Sequence, residues 1–397
     1  MPESTSYRWV IVACAAAVLA LVMGLMVNGL SVFFTPLEQE FHWSRGAISL
    51  INTLGLVGVG LGGIAMGRVA DRVNIRTIGI FAVIVMGICV ALASQADQLW
   101  QFYLLFFLAG ALGASAVYAP LVATVGSWFP VGAGLAIGLA SAGQALGQGG
   151  VPLVLAWMIE AMGWRGALLA YGVGTLALLL PVVLALRPAP ALPRGTAAAT
   201  EPAPVLSPGV TVVALSVAIL LCCTCMAVPL VHLVPLIESL CITGSDAGGV
   251  LFAMLVAGIA GRIFFGKLAD MIGPIPAYMA ASLWQTVGVF AFTQITDLSL
   301  FYVFAPIYGF GYAGVMTGVL VTARALTPAA NRATLMGVIF LFGWLGHGLG
   351  GYQGGLFYDL TGGYTVSFAN AAAAGVLNLM ILISLWLVTR RRIALAA

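Results

Sequence analysis

Arg262 is the residue of this chain whose type and surroundings call for chemistry. It interrupts the apolar run of DAGGVLFAMLVAGIAGRIFFGKLADMIGP, residues 246–274, ahead of a Gly-Lys-Leu-Ala-Asp ending. A cation inside membrane hydrocarbon costs about 3 kcal/mol on insertion scales, so it is rare and functional by default. Its natural counter-ion is an anion brought in from outside. A guanidinium suits a carboxylate, because its planar fork grips both oxygens through two hydrogen bonds. Two other readings stay open. Arg262 lies five residues, about 7.5 Å of helix rise, from Lys267, close enough to snorkel to the interface. It would also serve a purely structural purpose by pairing with a backbone carbonyl.

A second set of residues has the chemistry to help an anion across. His347, in FGWLGHGLGGYQGG, sits mid-segment among glycines. An imidazole titrates near neutral pH and suits a proton carrier or a pH-gated second cation; a neutral histidine bonded to a neighbouring helix is an equal reading. Tyr118 in ASAVYAP, and Tyr308 and Tyr312 in IYGFGYAG, offer hydroxyls to a carboxylate and rings to its alkyl part. Tyr308 and Tyr312 are four apart and share a helix face. Asn28, Gln144, Trp344 and Tyr352 are further lining candidates, each with interhelical packing as the alternative. His232 is expected to gate or to brace, and His42 to be solvated in a loop. The Cys222, Cys223 and Cys225 cluster lacks a His or acid at ligand spacing, so packing is preferred to a metal site. No Ser/His/Asp, Cys/His or metal-spaced acid cluster occurs, nor any phosphate-binding glycine loop. Neither an enzyme nor a cofactor or metal is expected.

The elements that must position these residues follow from composition. The 397 residues are 62% hydrophobic and 7% charged, against roughly 25% charged in a soluble domain. The chain reads as all-α and integral to a lipid bilayer. A net charge of +3 is unremarkable and no basic run is of the kind built for nucleic acid, so no nucleic-acid partner is expected. The first apolar segment is too long for a signal h-region and is read as a retained span. Spans need about 20 apolar residues, and twelve segments qualify: 9–37, 46–70, 76–95, 98–127, 133–160, 164–187, 209–239, 247–268, 275–296, 298–327, 333–358 and 364–388. Backbone groups in lipid must be paired internally, which makes them helices. The Pro-rich stretch 188–208 reads as a hydrated cytoplasmic linker. It separates a six-helix half, 1–187, from a second, 209–397. With both termini inside, the inner ends carry Arg8, Arg68, Arg72, Arg76, Arg187, Arg194, Lys267, Arg324, Arg332 and Arg390 to Arg392. The outer loops carry only Arg45 and Arg165, as the positive-inside rule requires.

The halves repeat. GIAMGRVAD, 63–71, aligns with RIFFGKLAD, 262–270, at an offset of 199, and Pro36/Pro235, Gly67/Gly266 and Asp71/Asp270 share that register. In it the partner of Arg262 is Gly63, so the arginine stands apart from the shared scaffold. Duplicated halves are one way transporters are built. Small residues through 135–154 allow close helix approach.

GRVADRVNIR, 67–76, resembles the conserved loop between spans two and three of the major facilitator superfamily, G-x-x-x-D-R-x-G-R-R/K. Gly67, Asp71, Arg72 and Arg76 match it. Asn74 replaces the second glycine, a substitution expected because Asn tolerates left-handed backbone. The resemblance implies the major facilitator fold, twelve transmembrane helices in two pseudo-symmetric halves. It also implies a conformational gate from Gly67, Asp71, Arg72 and Arg76, with Gly266 and Asp270 repeating part of it. FFTPLEQEFHWSRGAISL (33–50), SWFPVGAGLAIGLASAG (127–143) and LGGYQGGLFYDLTGGY (349–364) are similar to the monocarboxylate transporter and oxalate/formate exchanger branch. There an arginine of span eight binds the substrate carboxylate, and Arg262 falls at the matching point. Asn28 and Gly258 stand where animal monocarboxylate transporters carry a lysine and an aspartate. Trp344 and His347 stand where the exchangers carry a second cation, so proton coupling through the Lys/Asp pair does not carry over.

The expectation is therefore a secondary active transporter of small organic anions, foremost a proton-coupled carrier of lactate- or pyruvate-like acids. Arg262, Tyr118, Tyr308, Tyr312, Asn28, Gln144 and Trp344 would meet the substrate and His347 the proton. It would act as a monomer in the cell (inner) membrane. An oxalate/formate-type exchanger is the alternative. A proton-driven drug exporter comes after it, since no carboxylate is expected near the membrane centre.

Overall fold

Residues 3–43, 45–189, 207–242 and 244–396 are described by a computed structural model, and among them there are helices and turns but no strand. Most of the expected linker, residues 190–206, lies outside the described residues. The helices are α1 Glu3–Val27, α2 Phe34–Phe41, α3 Arg45–Ala70, α4 Ile75–Ala93, α5 Leu99–Leu108, α6 Ser115–Trp128, α7 Ala133–Leu184, α8 Pro208–Glu238, α9 Gly244–Ile272, α10 Pro274–Ala291, α11 Leu298–Leu326, α12 Arg332–Thr361 and α13 Thr365–Ala396. Eleven stretches among the described residues are long and apolar enough to cross a membrane. One of them, α7, has 52 residues and is broken by Gly163 at φ 72°, ψ 168°. A side chain at that backbone conformation would be strained, so glycine makes the corner. Counted on either side of Gly163, the crossing segments number twelve.

Two crossing segments depart from the uninterrupted helices that their hydropathy suggests. The first leaves α geometry at Val27, passes through Asn28 and a 3-10 turn at Gly29–Phe33, and resumes as α2. The carbonyls released at the break are met by Asn52, whose Nδ2 donates to Met26 O at 2.8 Å and Val27 O at 3.4 Å. The fourth contains a π-helical turn at Ala109–Ala114 between α5 and α6. There Gly110 lies against the backbone of Gly55, and Ala111 against Gly62, with no room for a Cβ at Gly110 or Gly62. Helix backbones meet this closely in a membrane only through such small residues.

The chain divides into two compact units. The first holds 1–129, 139–188 and 331–341, and the second 130–138, 189–330 and 342–397. In the first unit Arg165 ties together three connections. Its Nη2 reaches Glu40 Oε1 at 2.9 Å and Asp97 Oδ1 at 2.7 Å, and its Nη1 donates to the carbonyl of Ser94 at 3.0 Å. The guanidinium also lies 4.4 Å from the ring centre of Trp164, which donates to the other oxygen of Glu40. At the opposite end of the helices, Tyr7, Arg76 and Trp128 donate in turn to the carbonyls of Ala185, Leu186 and Arg187. Three elements thus hold the segment that leaves α7 after Leu184, whose carbonyls have no helical partner.

In the second unit the closest pair is α9 with α11. Gly261 sits on the carbonyl of Phe310 and Gly309 on that of Met254. That crossing positions Arg262.

Candidate functional site

Arg262 is only 3% exposed although it lies on a membrane-spanning helix. The side chain is enclosed by protein and does not snorkel out toward Lys267, which is exposed. At the α9–α11 crossing Tyr312, 4% exposed, stands within electrostatic reach of the guanidinium. Gly258, one turn from Arg262 on the same helix, is pressed against Ala313 and the Tyr312 ring. A larger residue there would separate the two helices. The backbone carbonyl of Arg262 in turn packs against Gly138, where a Cβ would stand 2.7 Å from its oxygen. The arginine is thus held by close backbone contacts on two sides, a rigid mount for a charged fork.

The two tyrosines of α11 have different surroundings. Their rings are parallel, 5.8 Å apart with an interplanar angle of 10°. Tyr312 attends Arg262, whereas Tyr308 packs edge-on against Phe292 and lies over Gly288 of α10. Tyr308 is 1% exposed, and its hydroxyl has no hydrogen-bond partner among the described residues.

On α12, Trp344 and His347 are half-buried. Gly343, Gly346 and Gly350 lay this helix against Ile219, Leu220 and Thr224 of α8, and Thr224 Oγ1 donates to Gly346 O at 3.2 Å. The His347 ring makes no hydrogen bond to another described residue, unlike the interhelical bond that the structural reading required. His232 does make one: its Nε2 lies 2.8 Å from Gly351 O, and its ring stacks obliquely on Tyr364 at 5.5 Å. His232 braces α8 against α12. Tyr352 is largely exposed.

In the first unit Tyr118 and Gln144 are buried, Tyr118 edge-on to Phe340 at 5.3 Å. Asn28 Nδ2 donates to Gln148 O at 2.9 Å, so its amide secures the break after α1 to α7. The thiols of Cys222, Cys223 and Cys225 are buried and free.

The residues expected to form a gate show a repeated geometry. Asp71 accepts from Ala333 N at 3.0 Å, Thr334 N at 3.1 Å and Thr334 Oγ1 at 2.6 Å. Asp270 accepts from Gly134 N at 2.7 Å and Leu135 N at 2.8 Å. Each carboxylate therefore caps the first turn of another helix, α12 or α7, where free N–H groups and the helix dipole favour an anion. Adding 199 to 71, 134 and 135 gives 270, 333 and 334, so the two caps repeat in the register of the halves. Gly67 and Gly266 permit them: a Cβ on Gly67 would stand 2.7 Å from Ala333 O, and one on Gly266 would strike the carbonyl of Gly134. Arg72 is exposed, and Arg76 is directed to Leu186 O at 3.0 Å.

Asn74 differs from expectation. Its backbone is extended, φ −62° and ψ 135°, and its side chain caps α4 by accepting from Arg76 N at 2.9 Å. Its counterpart at the same offset, Gly273, has φ 95°. Asparagine serves here as an N-cap, a better use of its side chain than imitating glycine. The sequence reading also missed Thr334 and the N–H pairs at 134/135 and 333/334. One signal was available for α7: no side chain in Pro130-Val131-Gly132 can accept from its first N–H groups, which leaves them open to water or to a remote acceptor.

Comparison with known proteins agrees with this architecture. The sequence profile of the family described as Major Facilitator Superfamily matches residues 16–231 and 213–395. Monocarboxylate transporter 13 of Rattus norvegicus is 27% identical over 389 residues, 94% of this chain and 87% of the relative. Monocarboxylate transporter 11 of Homo sapiens is also 27% identical, over 92% of this chain and 80% of its own length. Among solved structures, the proton:xylose symporter XylE bound to 6-bromo-6-deoxy-D-glucose superposes with a TM-score of 0.78 at 16% identity, covering 96% of both chains. That likeness concerns the fold.

Proposed function

The chain belongs to the major facilitator superfamily, and we propose that this integral membrane transporter carries small organic anions by alternating access, foremost monocarboxylates of the lactate or pyruvate kind. The observation that carries the reading is Arg262: a guanidinium enclosed to 3% exposure within a membrane-spanning helix, with Tyr312 beside it. A buried cation is stabilised by an anion that satisfies both its charge and its donors. A carboxylate does so with two parallel hydrogen bonds. The tyrosine hydroxyl supplies a further donor, and its ring packs on the short alkyl part. Tyr118, Gln144, Trp344 and Asn28 are assigned as further substrate contacts. The names of the relatives, monocarboxylate transporters 13 and 11, support the same substrate class.

Substrate and arginine together are neutral, which lowers the cost of moving the bound state through hydrocarbon. A proton taken with the anion makes the transport step responsive to pH, and His347 is assigned as its carrier because its ring is not committed to another described residue. The cytoplasmic side is assigned to both termini by twelve basic residues against two, in a cell (inner) membrane.

Proteoliposomes test the reading. An inward acid gradient should drive accumulation of labelled lactate. A second reading, exchange of one organic anion for another, keeps the same arginine; it predicts uptake that ignores pH and needs preloaded anion. Lactate uptake no faster than in empty liposomes under both regimes contradicts the monocarboxylate assignment.

A further inference from the structure

Away from Arg262, the second unit holds an open crevice of about 340 Å³ between α8 and α13, lined by Val210, Ala214, Met380, Ile381, Ser384 and Val388, with Leu385 at its floor. We propose that this crevice is a specific site for one anionic phospholipid, an acyl chain lying in the groove and the headgroup phosphate held by Arg391 and Arg390. The occupant follows from two features of the surface. The groove is almost wholly apolar and its rims are outward-facing: Val210, Met380 and Val388 are exposed. Ser384, its one polar side chain, is already committed to Met380 O at 2.8 Å. An exposed apolar groove on a membrane-spanning pair of helices is covered by hydrocarbon, and it runs along the helices as an acyl chain does. From Met380 to Val388 it extends for about 12 Å of helix rise.

The second feature is charge at one end. Met380, Ser384 and Val388 lie four residues apart on one α13 stripe, and three residues further, on the same face, comes Arg391. Both Arg390 and Arg391 are exposed. Arg390 is held over the Trp386 ring, 5.4 Å from its centre, a pairing suited to the boundary between hydrocarbon and headgroups. The first turn of α8, which contributes Val210, adds the positive end of its helix dipole at the same mouth. On the two lining helices themselves, residues 207–214 and 385–391 carry no carboxylate. A zwitterionic lipid fits the groove equally well but gains less from these cations, so the site selects a net negative headgroup.

Native mass spectrometry of the full chain, loaded from micelles doped with phosphatidylglycerol or with phosphatidylcholine of identical chains, tests the proposal. One phosphatidylglycerol per chain should be retained at least tenfold more strongly than phosphatidylcholine. The pair R390Q/R391Q should lose that preference, and Arg391→Lys should keep most of it. Ser384→Phe, which fills the groove, should lose retention of both lipids. Each variant is to be compared with the parent by circular dichroism and gel filtration, and Arg391→Lys guards against a mere loss of fold. Equal retention of both lipids by the parent protein, or unchanged preference in R390Q/R391Q, overturns the assignment. So does displacement of the lipid by millimolar glycerol phosphate, since a site satisfied by a soluble phosphate does not depend on the groove.

Discussion

Arg262 and Tyr312 are the residues on which the transport reading stands. Losing one partner of a buried, hydrogen-bonded charge pair costs about 2–5 kcal/mol, so Arg262→Ala should raise the apparent KM for a carboxylate at least about 30-fold. A hydrogen bond to a charged group contributes about 1.5–3 kcal/mol. Tyr312→Phe should therefore raise KM about tenfold or more, read from initial uptake rates. Tyr308→Phe separates the two tyrosines: its hydroxyl is buried without a partner among the described residues, and deleting such a group is neutral or stabilising. Uptake should be nearly unchanged and thermal unfolding no earlier; a loss like that of Tyr312→Phe would place Tyr308 at the substrate after all. Arg262 was legible in the sequence because one cation in an apolar run is visible letter by letter. The divergence of Tyr308 from Tyr312 was not, because it depends on Phe292 and Gly288 of another helix, which periodicity within α11 cannot reveal.

At the scale of elements, the paired caps explain why Gly67, Asp71, Gly266 and Asp270 occur together. Asp71→Asn removes the charge that faces the α12 dipole, an effect of about 0.3–1 kcal/mol when exposed and up to about 2 when partly buried, and it replaces one of the two accepting oxygens by an NH2 that cannot accept from Ala333 N or Thr334. It should lower the unfolding temperature modestly and slow uptake. Gly67→Val sets a side chain into the Ala333 backbone and should abolish uptake; normal uptake by this variant would show that the close contact is dispensable. The Arg165 clasp gives a pH effect. The bond from Trp164, then those from Arg165, hold the Glu40 carboxyl below its ordinary value of 4.5, against partial desolvation and the nearby Asp97. A lowered carboxyl stabilises the fold above its unfolded-state pKa, and that contribution is lost as pH falls through the folded value. The clasp should hold from neutral pH to the ordinary carboxylate range and loosen below it, and Arg165→Gln should flatten that acid-side loss in a thermal unfolding series. The helices themselves were legible from hydropathy. The break at Asn28 carried a signal in the Asn28-Gly29 pair, a turn dipeptide that a hydropathy reading passes over, but its support by Asn52, remote in sequence, was not legible.

For the molecule as a whole, the offset of 199 proved the most informative feature of the sequence. It paired Asp71 with Asp270, though not the N–H groups that each of them caps, and it extends to Gly163 and Gly362, both at positive φ. It also isolates what the halves do not share. Where the first unit sets Gly63 against Gly337, the second sets Arg262 against Gly138. A duplicated scaffold with one cation added on one side fits the proposed selection of an anion. Substrate identity and coupling were less legible, because they depend on several buried polar groups acting together and on a proton no sequence shows. His347→Gln should remove stimulation by an acid gradient while sparing counterflow of preloaded lactate; retained stimulation would remove the histidine from the proton step. The most direct test of the central claim is saturation of labelled lactate uptake by the parent protein and by Arg262→Lys, both in proteoliposomes at equal protein density. A lysine keeps the charge but not the planar fork, so the account predicts saturable uptake by the parent and a KM at least tenfold higher in the variant. Equal saturation curves would contradict it.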